Sequence, residues 1–181
     1  SSLRRMAQIK RLRKDLNIYP LRGNVDTRLR KYQEGLYDGI ILAEAGLKRL
    51  GLLVNFKRFS LNEIIPAVGQ GVLGIEIRKD EKKVKNILQV LHSEKTAYAI
   101  KAERSFLKTV EGGCQVPLGA LAYLVNGKLI ITGFISDLEG DRFYKDTLEG
   151  IPEEAEKLGE ALGKKLLTKG GDQILKELYK G

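Results

Sequence analysis

The sequence predicts an α/β plus α+β fold: part of a parallel-sheet α/β domain, followed by a small domain with a three-stranded antiparallel sheet and helices. Three observations lead there. Between Leu3 and Gly51, short apolar runs alternate with helical patterns, as they do in parallel sheets with crossover helices. Between Leu118 and Ser136, two strand-like runs flank Asn126-Gly127, a strong hairpin signal. After Pro152 the pattern turns helical to the end. A chain of 181 residues suits one or two domains, and 43% hydrophobic residues are enough for a packed core.

Taken in order, Leu3 to Leu16 reads as a helix with Leu3, Met6, Ile9, Leu12 and Leu16 turned inward. Asn17 to Leu21 reads as a short strand and Gly23-Asn24 as a turn. Val25 to Gln33 is a second helix, with Gly35 past its end. Asp38 to Leu42 is a buried strand, being nearly all apolar, and Ala43 to Leu50 a helix stopped by Gly51. Gly69-Gln70-Gly71-Val72-Leu73-Gly74 fits G-x-G-x-x-G, but no strand precedes it and no helix follows. The dinucleotide reading is therefore rejected. Pro66 to Gly71 reads instead as a hinge and Val72 to Arg78 as a strand. Glu81 to His92 and Glu94 to Val110 are helical. Leu118 to Val125, Lys128 to Ser136 and Arg142 to Leu148 are strands. Glu153 to Leu167 and Asp172 to Tyr179 are the closing helices. Tyr123, Phe134, Phe143 and Tyr144 belong to the core or a sheet face, since no RNA-binding aromatic signature surrounds them.

The net charge is +9, and residues 1–30 hold +7 of it, with nine Lys or Arg against Asp15 and Asp26. This is an anion-binding candidate. A basic nucleic-acid-binding module is the alternative function it raises. Lys10, Arg11, Arg13 and Lys14 read as a solvated helix face. Arg22 follows a predicted strand and Arg28 sits six residues on, in the next helix. Ser2, Arg4 and Arg5 open another helix, where free N–H groups favour anions. One cysteine excludes an internal disulfide, and a single histidine beside it excludes a Cys/His zinc cluster, so no metal site is expected. His92 reads as a surface or capping residue. No apolar run is long enough to span a bilayer, and the lone thiol fits a reducing, cytoplasmic setting.

Cys114 lies in Glu111-Gly112-Gly113-Cys114-Gln115-Val116-Pro117-Leu118-Gly119, a loop between a helical and a strand pattern. By residue type alone it is a small buried or inert thiol. The nine-residue stretch, however, resembles the cofactor-attachment loop of the porphobilinogen deaminase (hydroxymethylbilane synthase) family. Four further stretches match that family in order: Ser1-Ser2-Leu3-Arg4-Arg5, residues 21–28 (LRGNVDTR), residues 42–51 (LAEAGLKRLG) and residues 66–71 (PAVGQG).

The resemblance runs from Ser1 to the C-terminus and looks like the C-terminal part of the family's pattern. It implies that residues 1–71 are the remainder of a second domain binding cofactor and anions. Residues 72–88 would belong to a missing first domain and a linker, and residues 89–181 would be the C-terminal α+β domain. It implies a dipyrromethane cofactor held through a thioether on Cys114 and contacted by Ser2, Arg4, Arg5, Arg22, Gly23 and Arg28. Porphobilinogen and the growing oligopyrrole would meet Arg22, Arg28, Arg49, Asn24 and Gln70. The family's reaction joins four porphobilinogen molecules into hydroxymethylbilane, with release of ammonia, in tetrapyrrole (haem) biosynthesis. Its catalytic aspartate would lie before Ser1, so no catalytic residue is carried over. The chain is expected to be inactive by itself unless the missing N-terminal segment is present as a separate chain. Neither a nucleic acid nor a membrane is an expected partner under this reading.

Overall fold

The computed structural model describes residues 2–110 and 116–180. Four helices precede the main packed unit: α1 (Leu3–Leu12), α2 (Val25–Gln33), α3 (Glu44–Arg49) and α4 (Lys82–Leu88). Then follow α5 (Glu94–Thr109), strands β1 (Leu118–Val125), β2 (Lys128–Ser136) and β3 (Phe143–Gly150), and helices α6 (Ala155–Leu166) and α7 (Asp172–Lys180). The strands form one antiparallel sheet in the order β1-β2-β3. Its β1–β2 turn has φ 49° at Asn126 and 77° at Gly127, the left-handed pair that a two-residue hairpin needs.

Period-two alternation sorts the sheet into two faces. Leu118, Ala120 and Ala122 pair with Ile135, Gly133 and Ile131, and the side chains of all but Gly133 join Phe106 of α5 and Leu162 and Leu166 of α6 in the main core. Each large side chain fully buried there contributes about 1.5–3 kcal/mol of apolar transfer. The other face carries Phe134, stacked on Phe143 with centroids 4.7 Å apart, and is covered in part by α1 and by residues 61–65.

The α+β portion forms as predicted, but the parallel sheet does not appear. Among the described residues, Asn17 to Leu21, Asp38 to Leu42 and Val72 to Arg78 lie outside any ladder. A strand exists only as part of a ladder with a neighbouring strand, and the ladders among the described residues are those of β1, β2 and β3. The first helix is also shorter than its apolar pattern implied. It ends at Leu12, where Arg13 leaves helical geometry (φ −147°) and binds Asp15. Leu12 and Leu16 are exposed, and the buried residues of α1 are Ala7, Gln8 and Ile9.

Candidate anion-binding site

Ser2 has extended backbone and caps α1, its Oγ accepting from the Arg5 N–H at 3.4 Å. The first turn therefore begins at Leu3 and presents Arg4 and Arg5 with no acidic residue beside them. Asn24 caps α2 in the same way, its Oδ1 accepting from the Thr27 N–H at 2.8 Å, and α2 carries Arg28. The Arg28 Nε donates to the Gly23 carbonyl at 2.7 Å, which folds the side chain back over the 23–24 turn. Arg5 reaches α3's approach segment, donating from Nη1 to the Ile41 carbonyl at 3.3 Å.

Burial and a neighbouring like charge act on both Arg4 and Arg5. Burial pushes the Arg4 pKa down and the charge of Arg5 adds to this; burial also lowers Arg5, with the charge of Arg28 second. The Arg4 Nε is buried with no hydrogen-bond partner. None of the ion pairs among the described residues involves Arg4, Arg5 or Arg28. Arginine stays charged and binds carboxylates through a planar fork, so a half-buried, uncompensated trio is suited to an anion with more than one carboxylate.

The remaining residues named for the site differ in setting. Arg22 is exposed immediately before the turn at Gly23, whose φ is 123°. Asn24 is exposed and spends its side-chain oxygen on the α2 cap. Arg49, at the exposed end of α3, and Gln70, exposed in a turn where its N–H donates to the Ala67 carbonyl, form no hydrogen bond with the arginine trio among the described residues. Cys114 and its neighbours 111–115 lie outside the described residues.

In the basic run at the end of α1, Arg11, Arg13 and Lys14 are exposed, as expected of a solvated face, and Lys10 is partly buried. Lys10 pairs with Glu139 and Lys14 with Asp141, both in the β2–β3 turn. The Arg11 guanidinium lies 4.4 Å from the centroid of Phe143, and Arg13 pairs with Asp15 at 2.6 Å. These contacts occupy the cations a phosphate-tracking surface would offer, and nothing in the site favours the nucleic-acid alternative.

Sequence reasoning missed the way α1 docks. A Cβ on Gly119 would stand 2.4 Å from the Pro66 carbonyl oxygen and 3.0 Å from Arg4 Cδ. One on Gly140 would stand 2.3 Å from the Ala7 carbonyl oxygen. Glycine at these two positions lets α1 and the Pro66 segment approach the sheet, and Gly140 also adopts a φ of 76°. Such contacts join residues more than fifty positions apart and leave no local pattern.

The fold and the trio define a class: a mixed α and α+β protein with a half-buried arginine cluster near the start of α1. Comparison with known proteins narrows it. Residues 1–86 match the family model described as porphobilinogen deaminase, dipyromethane cofactor binding domain. Residues 97–168 match porphobilinogen deaminase, C-terminal domain. The porphobilinogen deaminase of Syntrophobacter fumaroxidans is 45% identical over 181 residues, covering 99% of this chain and 59% of that protein. The one from Carboxydothermus hydrogenoformans is 47% identical over 179 residues, covering 98% and 58%. The one from Prochlorococcus marinus is 46% identical over 180 residues, covering 99% and 57%. The chain belongs to the porphobilinogen deaminase family and spans somewhat under three fifths of the length of these relatives.

Proposed function

We infer that the chain is the cofactor-bearing part of a porphobilinogen deaminase, a transferase that condenses four porphobilinogen molecules into hydroxymethylbilane and releases ammonia at each addition. The observation that carries this is the buried, partnerless Arg4 Nε beside Arg5 and Arg28. A dipyrromethane bears an acetate and a propionate on each ring, so its carboxylates match that trio in charge and in donor geometry. Bound by a thioether to Cys114, the group supplies the fixed primer from which the chain of pyrroles grows.

The chain's own residues do the holding. Arg4 and Arg5 take cofactor carboxylates, with Ser2 keeping their helix turn in register and the Gly23 turn setting Arg28. Arg22, exposed before that turn, and Arg28 take carboxylates of the incoming porphobilinogen. Asn24 acts by fixing α2, while Arg49 and Gln70 serve the outer part of the growing chain. Residues 1–71, 72–88 and 89–181 act as three units. The reaction takes place in the cytoplasm. No residue here corresponds to the family's catalytic aspartate, so turnover requires that group from a further segment, in the same polypeptide or as a separate chain.

The test is the intact mass of the denatured protein, coupled to an assay for hydroxymethylbilane. The expected result is a mass increase matching dipyrromethane when the chain is produced together with the family's N-terminal segment. The increase should be lost in Cys114→Ala. A dipyrromethane adduct that persists in Cys114→Ala rules out the thioether role. Hydroxymethylbilane formed by the purified chain with no other polypeptide would contradict the assignment of turnover.

A further inference from the structure

Two buried polar side chains that the arginine site does not use end on one short segment. Gln8, on α1 and 2% exposed, donates from Nε2 to the Ile65 carbonyl at 3.1 Å. Its Oε1 accepts from the Ile65 N–H at 2.7 Å. Glu103, on α5 and 5% exposed, accepts from the Gly69 N–H at 2.7 Å through Oε2. Its Oε1 accepts from the Ala122 N–H, on the free edge of β1, at 2.9 Å. Between these two grips, the Pro66 carbonyl oxygen lies against Gly119 of β1, where a Cβ would be 2.4 Å away. The segment is thus held at residue 65 by α1, at 66 by β1 and at 69 by α5. It contains the glycines that suggested a hinge, yet it has no slack.

Both side chains serve backbone groups that no ladder or helix serves. An unsatisfied buried N–H is expensive, and so is a buried carboxylate without donors. Burial pushes the Glu103 carboxyl up, and the N–H groups of Gly69 and Ala122 pull it back down. Leucine at position 8 would leave the Ile65 N–H and carbonyl without these partners, and leucine at position 103 would do the same to the N–H groups of Gly69 and Ala122. The arrangement therefore selects these two residues for what they hold rather than for packing.

We propose that Gln8 and Glu103 are positioning residues that act as one grip on residues 65–69, fixing α1, and with it Arg4 and Arg5, at a set spacing from β1. Displacing either end moves the other, because only three residues separate Ile65 from Gly69 and both anchors are buried. The consequence for anion affinity rests on the function proposed above; the coupling itself does not.

The experiment is amide hydrogen exchange by NMR on the full chain, comparing wild type, Gln8→Ala and Glu103→Gln. Coupling is reciprocal, so Gln8→Ala should accelerate exchange at the Gly69 amide by at least about fivefold, and Glu103→Gln should do so at Ile65. Acceleration confined to each side chain's own partner overturns the proposal. If Glu103→Gln does not fold, Gln8→Ala decides alone, since Gly69 is then read with Glu103 intact. A titration with inorganic sulfate, followed at the Arg5 amide, reads the positioning role, and both variants should bind several-fold more weakly than wild type. Equal sulfate affinity in all three proteins overturns that role. A wild-type protein that does not bind sulfate counts against the anion site, while the exchange result still decides the grip.

Discussion

Arg4 is held where the fold by itself gains nothing from its charge. Its stem lies along Gly119, its Nε is buried without a partner, and burial with the neighbouring Arg5 lowers its pKa. A buried unsatisfied donor costs on the order of 1–3 kcal/mol, and an apolar side chain of similar length removes that cost. Arg4→Met is therefore expected to raise stability by about 1 kcal/mol in chemical denaturation while sharply weakening anion binding. A variant that loses both stability and affinity would mean that Arg4 is chiefly a packing residue. The opposite bargain holds for Asp146, where Lys169 at 2.6 Å and Lys165 at 3.0 Å hold the carboxyl far below its ordinary value of 3.8. A depressed carboxylate contributes stability above its unfolded value and loses it as pH falls through the folded one. Asp146→Asn should thus lower the thermal midpoint at pH 7, and its deficit against wild type should narrow as pH falls below 3.8. Glu103 has the opposite sign. Its raised pKa contributes stability that is fully present below the ordinary value of 4.5 and is lost as pH rises through the folded value.

At the scale of elements, α1 is the piece that joins the arginine site to the sheet. It meets the β2–β3 turn through ion pairs at Lys10 and Lys14, through Arg11 over Phe143, and through the backbone contact at Gly140. These differ in weight. Exposed ion pairs are weak and screened by salt, whereas a Cβ 2.3 Å from a carbonyl oxygen cannot be accommodated without moving the helix. The turn itself is rigid. Asp137 accepts from the N–H groups of Asp141 and Arg142 and from the Arg142 guanidinium, so the loop cannot swing aside. Gly140→Ala is expected to cost roughly 2 kcal/mol, combining the left-handed φ with the clash. Lys14→Ala should leave the thermal midpoint unchanged within error. Equal effects from the two substitutions would show that charge, not close approach, docks α1.

At the scale of the whole molecule, the packed sheet and its helices contrast with segments that expose apolar side chains. Leu73 is 81% exposed and Leu53 fully so, and Ile75, Ile87, Val90 and Leu91 are exposed as well. Leu73 and Ile75 are two apart, so an extended backbone turns them to the same side. An exposed apolar segment with unpaired backbone groups is a template for association. The chain purified by itself should therefore self-associate as its concentration rises, in sedimentation velocity. The double substitution Leu73→Lys, Ile75→Lys should suppress this without lowering the thermal midpoint. Undiminished association in that double variant would place the contact elsewhere.

The sequence by itself determined whatever depends on neighbours along the chain. The Asn126-Gly127 hairpin has its predicted strands, α2 has its predicted bounds, and the closing helices differ from expectation by a few residues. The five ordered motifs identified the family, and four of the arginines they carry lie in the first turns of helices or beside a capped turn, as local capping chemistry requires. Tertiary structure decided what depends on distant partners. It left Asn17 to Leu21, Asp38 to Leu42 and Val72 to Arg78 without ladders, because a strand cannot satisfy its own N–H and C=O groups. It set Lys10 and Lys14 against acidic residues of the β2–β3 turn and Arg11 over Phe143, with Arg11 and Lys14 still exposed, and it made buried anchors of Gln8 and Glu103, two ordinary polar residues on helices. The physical reason is the same throughout. Turns and caps are settled within four or five residues, whereas close approach and buried polar pairing are properties of surfaces that meet only when the chain has folded.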